Sequence, residues 1–385
     1  MRLLVDNYRF RSLGGLQLQH ELKLSMLDAA RCEDEVFFTE GHCDKTDQYV
    51  VDTEALYDPG EAGLLNYYKW YYRSLPKIAA ANKIDVIYMM SGKVPRGLQK
   101  RFGILTSVNN MIPFNPSVLS LYKNSPRQLL RYHLLRKLFV GSARRADALI
   151  MHSQSGLNML EKYTGDISSK VNVALTGIPS DIRNKTKQVY QHPYEGRPYL
   201  FYLSGMRPYK NHLRLIKAYS SLYMQNQEIP DLILAGVAGD PKYLASVRNE
   251  IRQHSLAEKV VYLGVLERAD IPAWFHHATV NVFPSLCETN SVILAEMLAT
   301  GSVLACANVP SLVEVTGKGG TFFDPYSVSS ISNSLQSLIY DKDSRGKWRR
   351  AALLRASELD WANCGRAIWK SAHYAKNIVE KRKSN

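Results

Sequence analysis

Short apolar runs alternate with helical patterns along the whole chain, and this alternation restricts the fold more than any other feature. Five runs in the first half predict buried strands: RLLV, DVIYMM, GILTSV, DALIMH and KVNVAL. Five runs in the second half predict the same: YLFYLSG, DLILAG, KVVYLG, VNVFPS and SVLACA. Strands that alternate with helices build parallel sheets. Because 385 residues are also enough for two domains, we predict an α/β chain with two doubly wound, Rossmann-like domains.

The predicted seam between the two domains is residues 176–198, a polar stretch with three prolines. Doubly wound sheets bind ligands at the carboxyl ends of their strands. If the two sheets face each other, the expected site is the cleft between them.

Cysteine usage and hydropathy favour a cytoplasmic protein. The five cysteines are scattered and form no CxxC pair, which argues against a disulfide framework and against a zinc site. No stretch approaches the roughly 18 to 20 apolar residues that cross a bilayer. The chain begins with the strand-like MRLLVD, which we interpret as the absence of a signal peptide.

The net charge of +14 favours anionic partners. The charge is uneven, because the 61 residues between Asp85 and Asp147 contain eleven Lys and Arg and no acidic residue. Within this tract a helix is predicted to start after Pro126. Its basic residues are Arg127, Arg131, Arg136 and Lys137, and its apolar stripe is Leu130, Leu134, Leu135, Leu138 and Phe139. Either this helix packs on its own sheet, or it docks on an anionic membrane surface.

Two predicted strand ends in this sequence carry residues suited to phosphate. Gly14 and Gly15 follow the first strand and are predicted to precede a helix, and adjacent glycines there let backbone N–H groups approach a phosphate or a sugar. Arg207 and Lys210 lie in the loop after the first strand of the second domain, and two cations suit a diphosphate. The alternatives are an ordinary turn and an ordinary exposed loop.

A third strand end, CETNSVILAE, places Glu288 and Glu296 eight positions apart. Asn290 and Ser291 are good N-cap types, and Gly301 is a typical helix stop, so a helix is predicted between them. Glu296 then lies inside an apolar helix, and a buried carboxylate is costly unless it is paired. Either a protein group answers it in a salt bridge, or a ligand does. A nucleoside diphosphate sugar, with its phosphates at the helix N-terminus, would give both glutamates a partner.

Residues 283–325, FPSLCETNSVILAEMLATGSVLACANVPSLVEVTGKGGTFFDP, resemble the signature of the retaining GT-B glycosyltransferases called glycosyl transferases group 1. Glu288 and Glu296 stand at the two positions of its Glu-x7-Glu pattern, and LSGMRPYKNHLRLIKAY is similar to its basic donor loop. The resemblance implies a GT-B fold with two Rossmann-like domains facing across a cleft. Residues 1–178 would be the acceptor-side domain, 179–360 the nucleotide-sugar domain, and 361–385 a helix that crosses back to the first domain.

The resemblance also implies roles for the matching positions. Glu288, Lys210 and Arg207 would be catalytic: the glutamate contacts the donor sugar, and the two cations hold the diphosphate and offset charge on the leaving nucleotide. Glu296 would bind the ribose hydroxyls. The remaining donor contacts would come from Asn290, Ser291, Val292, Gly14 and Gly15.

This sequence departs from the family pattern at two informative places. ETNS replaces the usual Glu-x-Phe-Gly, so the identity of the donor cannot be transferred. Asn109 stands where members often have a histidine, and an asparagine can bind a sugar but cannot take a proton. We therefore take Asn109 and its neighbour Asn110 as candidate acceptor-side residues.

The sequence thus predicts a retaining hexosyltransferase that moves a sugar from a UDP- or GDP-sugar to an acceptor hydroxyl. The acceptor would be a glycan or a lipid-linked group in bacterial cell-surface polysaccharide or lipopolysaccharide assembly, met at the inner face of the plasma membrane. Arg207 and Lys210 would take the role of a divalent cation, so we predict no metal and no other cofactor. One alternative is a GT-B enzyme such as a nucleotide-sugar epimerase. The other is a basic nucleic-acid-binding protein, for which no recognition motif is present.

Overall fold

The computed structural model describes residues 1–6, 13–40, 50–52, 64–183 and 191–384. The chain divides into two compact units. Unit 1 comprises Met1–Phe114, Ser125–Thr176 and Trp361–Asn385, and unit 2 comprises Asn115–Asn124 and Gly177–Asp360. The sequence boundaries were 178 and 360, and the short segment Asn115–Asn124, which groups with unit 2, has no counterpart in them.

The elements are numbered in chain order over the described residues. The strands are β1 (Arg2–Asp6), β2 (Glu35–Glu40), β3 (Val50–Asp52), β4 (Val86–Met89), β5 (Gly103–Ser107), β6 (Ala148–Met151), β7 (Val171–Val173), β8 (Tyr199–Leu203), β9 (Asp231–Ala235), β10 (Val260–Tyr262), β11 (Val280–Phe283), β12 (Leu304–Ala307) and β13 (Thr321–Phe323). The α-helices are α1 (Leu13–Ala29), α2 (Leu64–Lys69), α3 (Leu75–Ala81), α4 (Pro116–Leu119), α5 (Pro126–Arg145), α6 (Gln154–Thr164), α7 (Ser180–Arg183), α8 (His212–Gln225), α9 (Pro241–Gln253), α10 (Ile271–His277), α11 (Val292–Ala299), α12 (Pro310–Thr316), α13 (Val328–Tyr340), α14 (Arg345–Glu358) and α15 (Trp361–Ser384). A π-helical turn, Trp70–Ser74, joins α2 to α3.

Unit 1 contains a parallel sheet with the strand order β3-β2-β1-β4-β5-β6-β7. Its central strands are buried along their whole length, as expected for a sheet covered on both faces. Helix α15 packs closely against α1, because a Cβ at Gly365 would lie 2.0 Å from the carbonyl oxygen of Ser25. The Trp369 Nε1–H donates a 2.8 Å hydrogen bond to the Met26 carbonyl oxygen across the same contact. The C-terminal helix is therefore an integral part of unit 1.

Unit 2 contains a parallel sheet with the strand order β10-β9-β8-β11-β12-β13. Strand β8 comes first in the chain and lies in the middle, with β9 on one side and β11 on the other. The chain therefore reverses its direction of winding between β8 and β11. Open α/β sheets bind ligands outside the carboxyl ends of the strands at such a switch point.

All ten predicted strands are confirmed, and three strands escaped prediction: β2, β3 and β13. Strand β2 reads EVFFTE, with a charged residue at each end, while β3 and β13 have three residues each. Runs this short or this polar at their ends do not stand out by periodicity. Whether these segments form strands depends on their pairing within the sheet, which no local sequence pattern shows.

Helix α5 begins at Pro126 as predicted, but its apolar stripe divides in the structure. Tyr132 and Phe139 are buried, whereas Leu130, Leu134 and Leu138 are 61, 52 and 48% exposed. Packing on the sheet, one of the two alternatives for this stripe, therefore does not hold for these three leucines. They follow one another at four-residue spacing, so they form a ridge along one side of the helix. We call Leu130, Leu134 and Leu138 the leucine ridge. Among the helices of the described residues, none is long and apolar enough to span a membrane.

Candidate functional site

The switch point of unit 2 brings two loops together. One follows β8 and contains a 3₁₀ turn, Pro208–Lys210, and the other follows β11. Their backbones are joined by a 2.8 Å hydrogen bond from the Leu286 N–H to the Tyr209 carbonyl oxygen. Because β8 and β11 are paired and parallel, their carboxyl ends deliver both loops to the same edge.

Lys210 and Glu288 form an ion pair at this edge. Lys210 Nζ lies 2.5 Å from Glu288 Oε1, and the two side chains are only 13 and 14% exposed. Burial works to lower the pKa of Lys210, but the charge and hydrogen bond of Glu288 outweigh it and hold that pKa well above its usual range. Lys210 is therefore a fixed cation, held by Glu288, with a small part of its side chain exposed.

The loop that carries Lys210 is held by Asn211, which adopts a left-handed conformation with φ of 66°. That conformation is uncommon for a residue other than glycine, and asparagine is among the residues that tolerate it best. The buried Asn211 amide donates to the carbonyl oxygens of Pro284 (3.1 Å) and Pro325 (2.8 Å). Asn211 thereby ties the Lys210 loop to the ends of β11 and β13.

Arg207 precedes this turn and is exposed. Its guanidinium makes no hydrogen bond or ion pair with any residue that the structure describes. The side chain lies beside Gly239, where an added Cβ would be 3.0 Å from Arg207 Nε. The predicted second cation is therefore present at the rim of the same loop, on a side chain able to reorient.

Helix α11 has the predicted bounds, since it begins at Val292 and ends at Ala299, with Gly301 at φ of 67° directly after its C-cap. Ser291 is the N-cap, and its side chain accepts a 3.2 Å hydrogen bond from the Leu294 N–H. The loop residue Asn290 precedes this cap, and Val292 opens the first turn. The first-turn N–H groups are directed out of the helix start, the arrangement that suits a phosphate.

Glu296 is buried in α11 with 2% exposure, as its apolar neighbours predicted. Arg268 forms a salt bridge with this carboxylate, and its Nη1 lies 2.8 Å from Glu296 Oε1. Arg268 also contacts Asp181, with distances of 2.8 Å from Nε to Oδ2 and 3.0 Å from Nη2 to Oδ1. Sequence reasoning missed both Arg268 and Asp181. They lie 28 and 115 positions before Glu296 in the sequence, and no local pattern links them to it.

Ser311 is a further residue that sequence reasoning missed. Its hydroxyl donates a 2.7 Å hydrogen bond to the Glu288 carbonyl oxygen, and Ser311 is buried at the start of α12. Next to Glu288, burial raises the pKa of the Cys287 thiol to about 12, so that thiol stays neutral. The loop after β11 is therefore fixed by the loop after β8, by α12 and by its own packing.

The candidate residues of unit 1 lie elsewhere in the chain. Gly14 and Gly15 are the second and third residues of α1 and do not precede it, which corrects the predicted helix start, and the loop before them, 7–12, lies outside the described residues. Asn109 Nδ2 donates to Ser107 Oγ at 3.1 Å, at the end of β5. Asn110 Oδ1 accepts from the Ile112 N–H at 3.1 Å, which caps its own turn.

A family model described as glycosyl transferases group 1 matches residues 184–355. O-antigen chain mannosyltransferase B of Escherichia coli is 34% identical over 184 residues, which cover 46% of this chain and 45% of the relative. The serotype-specific mannosyltransferase WbdA of Escherichia coli is 26% identical over 229 residues, 57% of this chain and 28% of the relative. The chain thus spans less than half the length of these two curated relatives.

Solved structures resemble the chain over nearly its whole length. Sucrose-phosphate synthase from Thermosynechococcus elongatus has a TM-score of 0.72 at 15% identity, covering 99% of this chain and all of that one. Anabaena HepE in complex with UDP and glucose has a TM-score of 0.64 at 18% identity, covering all of both chains. At this identity the likeness shows the fold alone. Residues 184–355 therefore match the glycosyl transferases group 1 model, within an α/β chain that has the two-domain GT-B fold.

Proposed function

We propose that this protein is a retaining glycosyltransferase that moves a hexose from a nucleoside diphosphate sugar to an acceptor hydroxyl. The observation that carries the proposal is the Lys210–Glu288 ion pair at the switch point of unit 2, beside the N-terminus of α11. A fixed cation and free helix N–H groups suit the diphosphate, and a carboxylate beside them suits the hydroxyls of a sugar. The names of the mannosyltransferase relatives favour mannose as the hexose.

In this proposal each charged group has one task. Lys210, together with the exposed Arg207, faces the diphosphate and stabilises the negative charge that grows as the bond to the anomeric carbon breaks. Glu288 contacts the sugar and, through its pair with Lys210, keeps the lysine charged and in place. Glu296 accepts hydrogen bonds from the ribose. Two protein cations perform the charge compensation that a divalent ion would otherwise supply, so we propose a reaction without a metal.

The transfer step balances without an oxidant or an external base. The bond from the anomeric carbon to the diphosphate oxygen breaks, and the bond to the acceptor oxygen forms on the same face of the sugar. The acceptor's proton passes to the leaving diphosphate. This route needs no titrating side chain at Asn109, which cannot take a proton.

The activity is tested with a panel of UDP- and GDP-sugars, by calorimetric binding and by slow donor hydrolysis. We expect one nucleotide sugar to bind and to release its nucleoside diphosphate, with the anomeric configuration kept when a simple sugar acceptor is supplied. An epimerised nucleotide sugar formed without acceptor would make the protein an epimerase. Failure of every donor to bind, while DNA retains the protein in a salt-dependent way, would overturn the proposal in favour of nucleic-acid binding.

We further propose that the acceptor is lipid-linked and that α5 docks unit 1 on an anionic membrane, as in the assembly of a bacterial surface polysaccharide. The leucine ridge is exposed, and Arg127, Arg131 and Lys137 beside it are exposed as well. Arg136 instead lies over the ring of Tyr163 at 4.9 Å. A helix with exposed leucines, flanking cations and no acid suits the surface of an anionic bilayer. Each cation near that surface contributes on the order of 1 kcal/mol.

Membrane docking is measured by co-flotation with phosphatidylglycerol and with phosphatidylcholine vesicles. We expect binding to the anionic vesicles at low salt and release at high salt, because salt screens the cations. Replacing Arg127, Arg131 and Lys137 by Gln, or replacing the leucine ridge by Ser, should each abolish flotation and leave donor hydrolysis intact. The matched control replaces the exposed cations Lys242, Arg248 and Arg252 of α9 by Gln. A wild type that does not float with anionic vesicles at low salt points to a soluble glycan acceptor.

A further inference from the structure

Arg268 lies in the turn between β10 and α10 and joins two carboxylates that are far apart in the sequence. Its Nε and Nη2 face the two oxygens of Asp181, and its Nη1 faces Glu296 Oε1. One planar guanidinium thus makes a two-point contact on one side and a single contact on the other. A lysine ammonium does not reproduce this geometry, because its donors radiate from one nitrogen.

Burial shows which member of the trio depends most on the others. The Glu296 side chain is 3% exposed, whereas Arg268 and Asp181 are each 38% exposed. Burial acts to lower the pKa of Arg268, but the hydrogen bond and charge of Asp181 and the charge of Glu296 outweigh it and raise that pKa. Arg268 is therefore a permanent cation that holds an otherwise costly carboxylate inside unit 2.

The net charge of Arg268, Asp181 and Glu296 indicates which ligand group would suit this trio. One guanidinium and two carboxylates carry a net charge of about −1, so the trio does not attract a diphosphate. Arg268 contacts the Glu296 carboxylate through Oε1, and an ionised carboxylate accepts hydrogen bonds and donates none. The group that suits such a carboxylate is a neutral hydrogen-bond donor, such as a sugar hydroxyl.

We propose that Arg268 is a positioning residue for the nucleotide ribose. It fixes the Glu296 carboxylate in the orientation that accepts hydrogen bonds from the ribose hydroxyls, and Asp181 fixes Arg268 in turn. This inference rests on the proposed function, which assigns Glu296 to the ribose. Asp181 lies in α7, soon after the chain enters the segment Gly177–Asp360 of unit 2, so the ribose subsite is anchored to α7.

The test is a double-mutant cycle in which side chains are replaced in the protein and the ribose hydroxyls are removed from the ligand. The probes are UDP and GDP and their 2′,3′-dideoxy analogues, and binding is measured by calorimetry. For the wild type we expect removal of the hydroxyls to weaken binding roughly ten- to hundredfold, the effect of losing hydrogen bonds to a charged group. In Arg268→Gln we expect the ribonucleotide to lose about tenfold in affinity while the dideoxy analogue binds as before, so that the ratio falls about tenfold.

Two further variants separate positioning from mere stability. Asp181→Asn keeps the guanidinium but weakens its anchor, and we expect the ratio to fall several-fold. Arg268→Lys keeps the charge without the fork, and we expect it to recover part of the ratio but not all. The matched control is Arg252→Gln, an exposed cation of α9, which should leave the ratio at the wild-type value. Thermal melting of each variant establishes that it is folded.

The outcomes distinguish this inference from the function on which it rests. If Glu296→Gln collapses the ratio while folded Arg268→Gln and Asp181→Asn keep it, the ribose assignment holds and the positioning role of Arg268 is wrong. If Arg268→Gln binds ribonucleotides more tightly, Arg268 occupies the ribose site and does not prepare it. If Glu296→Gln also keeps the ratio, the ribose assignment fails and this inference fails with it, while donor turnover still tests the proposed transfer.

Discussion

The two units have switch points of the same topology but of opposite chemistry. In unit 2 the reversal lies between β8 and β11, and a lysine and a glutamate pair there close to the surface. In unit 1 it lies between β1 and β4, and Asp6 at the end of β1 is fully buried. Asp6 Oδ1 accepts from Trp70 Nε1 at 3.0 Å and from Thr39 Oγ1 at 3.3 Å. The topology provides the place, and burial decides whether a carboxylate there can serve a ligand or only the fold.

The largest expected effect is on Lys210, whose charge is the core of the unit 2 site. Lys210→Ala should lower kcat about 10²- to 10³-fold and change the donor KM only a few-fold, because the charge on the diphosphate grows in the transition state. Steady-state kinetics with the donor found in the panel measure this. A variant in which only KM rises would make Lys210 a ground-state binding residue, and the comparison with unit 1 would lose its catalytic meaning.

The matching experiment in unit 1 is Asp6→Ala. Removing this buried acceptor leaves the Trp70 and Thr39 donors without it, which should lower the free energy of unfolding by about 2 to 3 kcal/mol. Donor affinity should not change, since Asp6 serves the fold of unit 1. Denaturant unfolding followed by Trp fluorescence, with calorimetric donor binding alongside, checks both statements. A folded variant with weaker donor binding would break the distinction between the two carboxylates.

Ser311→Ala removes the hydrogen bond that holds the Glu288 backbone. We expect a loss of roughly 0.5 to 1.5 kcal/mol in transition-state stabilisation, which is about two- to twelvefold in kcat/KM, because the carboxylate and its lysine partner are less well placed. Ser311→Thr keeps the hydroxyl and serves as the control. Equal activity of the Ala variant and the wild type would show that β8 and the loop packing fix Glu288 without α12.

The smallest expected effect is that of chelation. In the proposed reaction Arg207 and Lys210 supply the positive charge at the diphosphate, so we expect EDTA to leave turnover unchanged. Within the described residues, no group of three or more His, Cys, Asp or Glu is placed to hold a metal ion. The check compares kcat before and after dialysis against EDTA and after addition of Mg²⁺ or Mn²⁺. Loss of activity that Mg²⁺ restores would contradict the proposed metal-free transfer.

The sequence by itself determined the alternation of strands and helices, the ends of α11 and the burial of Glu296. These features follow from local patterns: an apolar run, an N-cap serine and a stop glycine are read within ten residues of one another. That both loops lie at the carboxyl ends of their strands also follows from the parallel arrangement, whereas sheet pairing decides that β8 and β11 are neighbours.

Only the tertiary structure decided which groups form salt bridges and hydrogen bonds with those residues. Nothing near Glu296 in the chain identifies Arg268 or Asp181, since contacts between separate elements leave no periodic trace in either segment. The same limitation applies to Ser311 beneath Glu288 and to the exposure of the leucine ridge, for which the helical pattern left packing on the sheet and docking on a membrane open. Residue type and spacing fix what a segment is able to do, and packing decides which of its faces and charges meet a protein partner and which remain for a ligand.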